Sequence, residues 1–279
     1  MKLSDLRPGW RTDFIIHRFG GEVIERDDCI VVRTPANPNF YWGNFLLLPQ
    51  APADGELAHW LARFEHEIGS LQPLSRHVAI GINAAPSAEP LPAWAAAGFE
   101  IDETAVIELT AGELRAPPRP ARGRVELRAL DLARELDAVV EQQSADPDGY
   151  DPAGFTDFRR REMQRFSRIA AHGTGCWFGL WCDGVLAADC GLIRDQHGPG
   201  ATGRFQHVGT HPAWRRRGLC TALVHAVTTW GFQHWPLQRI VMCADPHDVA
   251  LDIYRGLGYQ PIDSEGRLQR RAPQDLATA

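Results

Sequence analysis

Three arginines and a glycine, Arg215-Arg216-Arg217-Gly218, stand between a strand-like run at 205–210 and a stretch with apolar residues at 219, 222, 223, 226, 227 and 230. That recurrence is the spacing of an amphipathic helix. A strand, a basic turn and a helix N-terminus together suit an anion. The first N–H groups of a helix lack intrahelical partners, and the dipole there favours negative charge. Arginine forks match phosphate oxygens, and glycine lets a ligand approach the backbone. The expected chemistry is pyrophosphate binding by Arg215, Arg216, Arg217, Gly218, Leu219, Cys220 and Thr221.

Composition narrows the ligand. Of 29 basic residues only Lys2 is a lysine. A Walker A loop, which needs Gly-Lys-Ser/Thr, is therefore excluded, as is an internal lysine forming a Schiff base. Only one glycine follows the strand, so the Gly-x-Gly-x-x-Gly dinucleotide turn is missing as well. Coenzyme A is left as the strong candidate.

At this point the residues resemble the GNAT superfamily of N-acetyltransferases. The family's pyrophosphate signature, Gln/Arg-x-x-Gly-x-Gly/Ala with a proline three residues ahead, is matched by Pro212 and Arg215-x-x-Gly218-x-Cys220. Its second signature, roughly Asn-x-x-Ala-x-x-Leu-Tyr-x-x-x-Gly-Phe, is matched downstream by His247-x-x-Ala250-x-x-Ile253-Tyr254-x-x-x-Gly258-Tyr259. Cys220 stands where a smaller residue is usual, and His247 where asparagine is usual. The resemblance implies acetyl-CoA, or another acyl-CoA, as co-substrate. It also implies direct transfer of the acyl group to an amine in a ternary complex.

That resemblance assigns roles. Tyr254 is the expected acid for the departing thiolate, since a phenol with a pKa near ~10 is protonated at neutral pH. Val208, Gly209 and Thr210 are expected to run along the pantetheine arm, and His247 to lie near the cofactor. Strand alternation places Arg204, Gln206, Val208 and Thr210 on one face and Phe205, His207 and Gly209 on the other. Arg204 and Gln206 then hold the positions of the usual base, and neither is one; His207 points away, so the sequence identifies no base. An acyl-cysteine route through Cys190 or Cys220 finds no adjacent histidine motif. The acceptor is expected near the loop 144–154, where Asp146, Asp148 and Asp151 with Tyr150 could attract a cationic amine. The arginines at 159, 160, 161, 165 and 168 read as a solvated helix face.

These residues need elements to position them. After a Pro/Gly-rich linker at 111–123, the second half reads as a strand at 125–130, a helix from a cap at Asp131 to about 143, and a helix at 156–171. Strands at 176–182 and 185–193 are joined at Asp183-Gly184, a tight hairpin signal. The strand 205–210, the basic turn and its helix follow. A strand at 239–244 then leads to a helix opened by an Asp245-Pro246 cap and ended at Gly258, with two short strands closing the chain. In the first half, strands are expected at 14–20, 22–26, 30–33, 40–48 and 77–82, and a helix at 56–69. Trp94-x-x-x-Gly98-Phe99 echoes the ending of the second signature, while the turn 49–55 lacks arginines. Residues 1–110 therefore read as a degenerate GNAT-like copy and 124–279 as the acetyl-CoA-binding domain. The expected fold is α+β, a mixed, mostly antiparallel sheet flanked by helices, in two tandem modules.

Length and composition bound the rest. A chain of 279 residues with 44% hydrophobic content can bury a sizeable core. No apolar run approaches the ~18 residues of a membrane span, and no signal-peptide pattern opens the chain. A cytoplasmic protein is expected, without a membrane partner and as a monomer or homodimer. Six cysteines without Cys-x-x-Cys spacing argue against a metal site. A net charge of −6 without a basic stripe argues against nucleic acid. The acceptor reads as a small-molecule or peptide amine. A non-catalytic acyl-CoA-binding or regulatory protein is the alternative, and a third reading makes the first half a partner-binding platform.

Overall fold

The computed structural model describes residues 1–195 and 201–273. The chain forms two compact units, and neither is a contiguous stretch. The first comprises Met1–Ala105 and Gly149–Gly154 together with 263–273, and the second comprises Val106–Asp148 and Phe155–Ile262. This differs from the linear division of the sequence into 1–110 and 124–279. Segment 111–123 lies wholly in the second unit. There the Arg115 N–H donates to the Leu257 carbonyl and the Arg122 N–H to the Arg217 carbonyl, both at 2.9 Å.

In the first unit, α1 (Pro8–His17) starts with proline at its first turn, where the missing N–H costs nothing. Strands β1 (Glu22–Glu25), β2 (Ile30–Arg33) and β3 (Phe45–Leu48) pair antiparallel. Helix α2 (Leu57–Phe64), prolonged by a π turn at Glu65–Gly69, returns the chain to β4 (Val78–Ile82), which lies parallel to β3. After α3 (Pro92–Ala96) comes β5 (Glu100–Thr110). The later part of β11 (Gln260–Arg270) pairs antiparallel with β4, Gly266 opposite Ile82. Alternation gives the sheet two apolar faces. Ile30, Val32, Phe45, Leu47 and Ala79 pack on Trp10 and Phe14 of α1. Cys29, Val31, Leu46, Leu48 and Ile80 pack on Trp60, Phe64 and Trp94.

Two expectations are corrected here. Residues 14–17 end helix α1 rather than begin a strand. The aromatic and β-branched run looks strand-like because α1 is buried around most of its circumference and lacks a polar stripe. The strand foreseen at 40–48 is confined to β3, behind a 3₁₀ turn at Tyr41–Gly43.

In the second unit, β6 (Val125–Ala129), β7 (Gly175–Cys182), β8 (Val185–Arg194) and β9 (Thr202–Thr210) pair antiparallel in that order. Between β6 and β7 run α4 (Leu132–Ser144) and α5 (Pro152–Ala171); α5 enters this unit at Phe155. Asp131 caps α4 by accepting the Ala133 N–H at 3.1 Å. Asp183 and Gly184 both have positive φ, as a tight two-residue hairpin requires. Helix α6 (Leu219–His234) carries the chain from β9 to β10 (Arg239–Ala244), which is parallel to β9. Residues 106–110 of β5 lie beside β10.

Helix α7 (Val249–Gly256) is capped by Asp248, which accepts the Ala250 N–H at 2.8 Å, so the cap falls three residues after the expected Asp245. One long strand, β11, replaces the two short ones foreseen at the end. No helix among the described residues is long and apolar enough to cross a membrane. No group of three metal-ligating side chains occurs among them either.

Candidate active site

The parallel ladder between β9 and β10 is short. Thr202, Gly203 and Arg204 face Arg239, Ile240 and Val241, and beyond them the two strands part. In the gap lies a cavity of about 220 Å³, lined from β9 by Phe205, His207 and Val208 and from β10 by Met242, Cys243 and Ala244. Asp245, Asp248, Ala250 and Tyr254 complete the lining. A parted pair of parallel strands leaves backbone donors and acceptors without a ladder partner, and such groups are available to an extended ligand.

At the end of β9 a 3₁₀ turn at Pro212–Trp214 leads into the basic turn. Arg216 (φ 61°) and Gly218 (φ 79°) both adopt left-handed backbone, which turns the chain sharply into α6. Such alternation gathers successive N–H groups into an anion-binding concavity. Ala222 is the first amide of α6 to find a backbone partner, the Gly218 carbonyl at 3.1 Å, so the amides of Leu219, Cys220 and Thr221 precede the ladder. Arg215 pairs with Asp146 at 2.6 Å, and the Arg217 guanidinium stacks 4.6 Å from the Trp214 ring centroid.

Tyr254 is buried and lines the cavity. Burial, reinforced by Cys220, Cys190 and Asp248, pushes its phenol well above the ordinary value, so it is protonated at neutral pH. The Tyr254 side chain in turn opposes, in small part, the effect of burial on the Cys220 thiol. Burial also pushes the Cys220 thiol up to about 12 and the Cys190 thiol well above its usual range. Neither is a thiolate nucleophile at neutral pH.

Alternation along β9 is broken where it matters. Asp189 faces Gly209 and Gly191 faces Gln206, so His207 and Val208 together oppose Cys190 alone. This is a β-bulge, with His207 at φ 44° in a position normally given to glycine. The expectation that His207 and Val208 lie on opposite faces is thereby overturned: both line the cavity. Gln206 and Arg204 do not line it; the Arg204 side chain is buried and its Nε donates to the Phe205 carbonyl at 3.0 Å. A one-residue insertion inverts every later side chain, and nothing in the residue types announced it.

The remaining expected residues are dispersed. Gly209 and Thr210 continue β9, paired with β8. His247 is exposed in the turn before α7, its N–H donating to Asp245 at 2.7 Å. Asp146 and Asp148 belong to the second unit, whereas Tyr150 and Asp151 belong to the first. Tyr150 accepts from Gln269 at 3.1 Å and lies under the Arg271 guanidinium, while Asp151 accepts the Gly154 N–H at 2.7 Å. Arg165 is not on a solvated face: it is buried and pairs with Glu162 at 2.8 Å.

Residues 137–259 match the family described as "Acetyltransferase (GNAT) family". The amino-acid sequence matches none of the curated proteins. Among solved structures, a functionally unknown conserved protein from Staphylococcus epidermidis superposes with a TM-score of 0.71 at 14% identity, over 91% of this chain and 95% of that one. A GCN5-related N-acetyltransferase from Kribbella flavida gives 0.62 at 16% identity, over 93% of each chain. A tandem GNAT protein from the clavulanic acid biosynthesis pathway gives 0.51 at 17% identity, over 78% of this chain and 68% of that one. At these identities the likeness concerns the fold, and the fold is that of two GNAT-type modules. Residues 137–259 thus carry the GNAT family match, and the fold around them is of the GNAT type.

Proposed function

We propose that this chain is an N-acyltransferase that passes acetyl from acetyl-CoA directly to an amine. The GNAT family match at residues 137–259 supports acyl-CoA-dependent N-acyl transfer in general. The observation that carries the finer reading is the cavity between the parting strands β9 and β10, with a buried, protonated Tyr254 in its wall. In this reading Arg215, Arg216 and Arg217 and the amides from Gly218 to Thr221 take the pyrophosphate. The backbone of Val208, Gly209 and Thr210 follows the pantetheine arm. Tyr254 then protonates the thiolate as the carbon–sulfur bond breaks, which removes the need to expel a bare anion into a buried site. Asp245 and Asp248 in the cavity wall suit a cationic amine, free or on a peptide.

The test is thiol release from acetyl-CoA across a panel of primary amines, with the wild type and Tyr254→Phe. The variant is expected to lose about 100-fold or more in kcat while its acetyl-CoA Kd stays within about twofold. Equal turnover in the variant would remove Tyr254 from the reaction. Tight binding without release on any amine would favour a non-catalytic acyl-CoA-binding protein.

A further inference from the structure

The segment ahead of β6 is not a slack connection. The Arg115 N–H is bonded to the carbonyl of Leu257 at the end of α7, and the Arg122 N–H to the carbonyl of Arg217 in the basic turn, both at 2.9 Å. Between these anchors, residues 116–121 hold three prolines among six residues, which restricts the chain before any ligand arrives. The fit at the turn is close. A Cβ on Gly218 would stand 3.5 Å from Ala121 Cα and 3.7 Å from the Pro120 carbonyl oxygen. Gly123 (φ 102°) leads this strap into β6, and the Cys182 thiol donates to the Arg122 carbonyl at 3.5 Å. Strap, turn and both helices belong to the second unit.

Positive charge collects where the strap meets the turn. Elsewhere in this unit arginines are matched with acids: Arg128 with Glu135, Arg160 with Asp137, Arg239 with Glu108. Arg119, Arg122 and Arg124, on the strap and just after it, are exposed and make no ion pair among the described residues. The same holds for Arg216 of the turn. Asp183, the carboxylate beside Arg124, accepts that residue's N–H at 3.0 Å. In a chain of net charge −6 such a patch is a local positive field and not a reflection of composition. Exposed guanidinium groups gathered at an anion turn are forks for a further phosphate.

We propose that the strap builds a second phosphate subsite, in which Arg119, Arg122 and Arg124 hold the 3′-phosphate of the coenzyme A adenosine and so select free acyl-CoA as the acyl donor. This rests on the acyl-CoA reading above. Coenzyme A carries a pyrophosphate and one further phosphate. In that reading the basic turn takes the pyrophosphate. The further phosphate sits on the ribose, one sugar away, and needs donors of its own. The strap is the segment that packs on the turn, and it brings three of them. An acyl group on a carrier protein's phosphopantetheine has neither adenosine nor 3′-phosphate, so a site for that phosphate discriminates against it. None of the three arginines lies in residues 137–259, the stretch that matches the family, so the subsite is supplied by the segment in front of it.

Titration of the full chain with acetyl-CoA and with its 3′-dephospho analogue tests this, because the two ligands differ only in that phosphate. The wild type is expected to bind acetyl-CoA about 30-fold or more tighter than the analogue. In the triple variant Arg119→Gln, Arg122→Gln, Arg124→Gln that ratio should fall to about threefold or less, while the analogue keeps its Kd within about twofold. Arg122→Gln alone, which serves if the triple variant does not fold, should lower the ratio about fivefold. A wild type that binds both ligands equally, or a ratio that survives the substitutions, would overturn the proposal and leave acyl-CoA binding intact. An equal loss for both ligands would also overturn it, since the strap would then be a prop for the turn or a diffuse field. Binding of neither ligand by the wild type would overturn the acyl-CoA reading, and the subsite with it.

Discussion

The two units share a plan and differ at one joint. Each runs antiparallel strands into a parallel pair closed by a helix: β3 and β4 through α2 in the first, β9 and β10 through α6 in the second. In the second unit the ladder stops at Arg204 and six residues of β9 continue without it. In the first unit Leu46, Leu47 and Leu48 pair with Ile80, Gly81 and Ile82 to the last residue of β3, and the Asn83 N–H donates to the Leu48 carbonyl at 2.8 Å. A ladder zipped to its end leaves no gap for an extended ligand. The helix starts differ in the same sense. Ahead of α6 stand three arginines, whereas ahead of α2 the carboxylates of Asp54 and Glu56 accept the N–H groups of Ala93 and Ala53. The first unit fills with its own acids and strands the places where the second offers donors. In the proposed function, strand length and turn charge, not topology alone, are what give the second unit room for an extended anionic ligand.

The strongest way to break this comparison is to separate the units. A fragment spanning 124–279 keeps the cavity and the basic turn but lacks 106–110 beside β10 and the 111–123 segment bonded to Leu257 and Arg217. It is expected to show no cooperative melt and no acetyl-CoA binding by circular dichroism and titration. A folded, binding fragment would mean that the second unit is complete without its borrowed strand.

A smaller effect sharpens the comparison through pH. His77 is buried in the first unit against Tyr41, and burial lowers its pKa from 6.5 to about 4. A folded-state value below the unfolded one means that the unfolded chain binds more protons between the two. The neutral ring's contribution is thus full above pH ~6.5 and lost as pH falls toward ~4, amounting to about 2 kcal/mol at pH 5. Urea unfolding at pH 7 and pH 5 should show that loss in the wild type and a flatter response in His77→Gln. An unchanged slope in the variant would put the acid sensitivity elsewhere.

The sequence made the site's frame legible because its signals are local. Pro212, Arg215 and Gly218 mark a turn, residues 219–230 mark a helix, and Asp183-Gly184 marks a hairpin; each depends on neighbours within a few residues. The cavity wall was half legible: Val208 and Tyr254 were named, while Phe205, Met242, Cys243 and Ala244 line it because two strands part, which is a property of pairing. His207 was set on the face opposite Val208 because a bulge has no composition of its own when glycine is absent from it. The exchange of β5 and β11 segments between units was equally hidden, since strand order is set by long-range packing.

The most direct test of the account is a calorimetric titration of the full chain with acetyl-CoA, repeated on Gly218→Asp and on Asp54→Ala. One site per chain is predicted, weakened about 100-fold or more by Gly218→Asp, where a carboxylate and strained backbone enter the anion turn, and unaltered by Asp54→Ala. Two sites per chain, or binding indifferent to Gly218→Asp, would contradict the claim that only the second unit holds the cofactor.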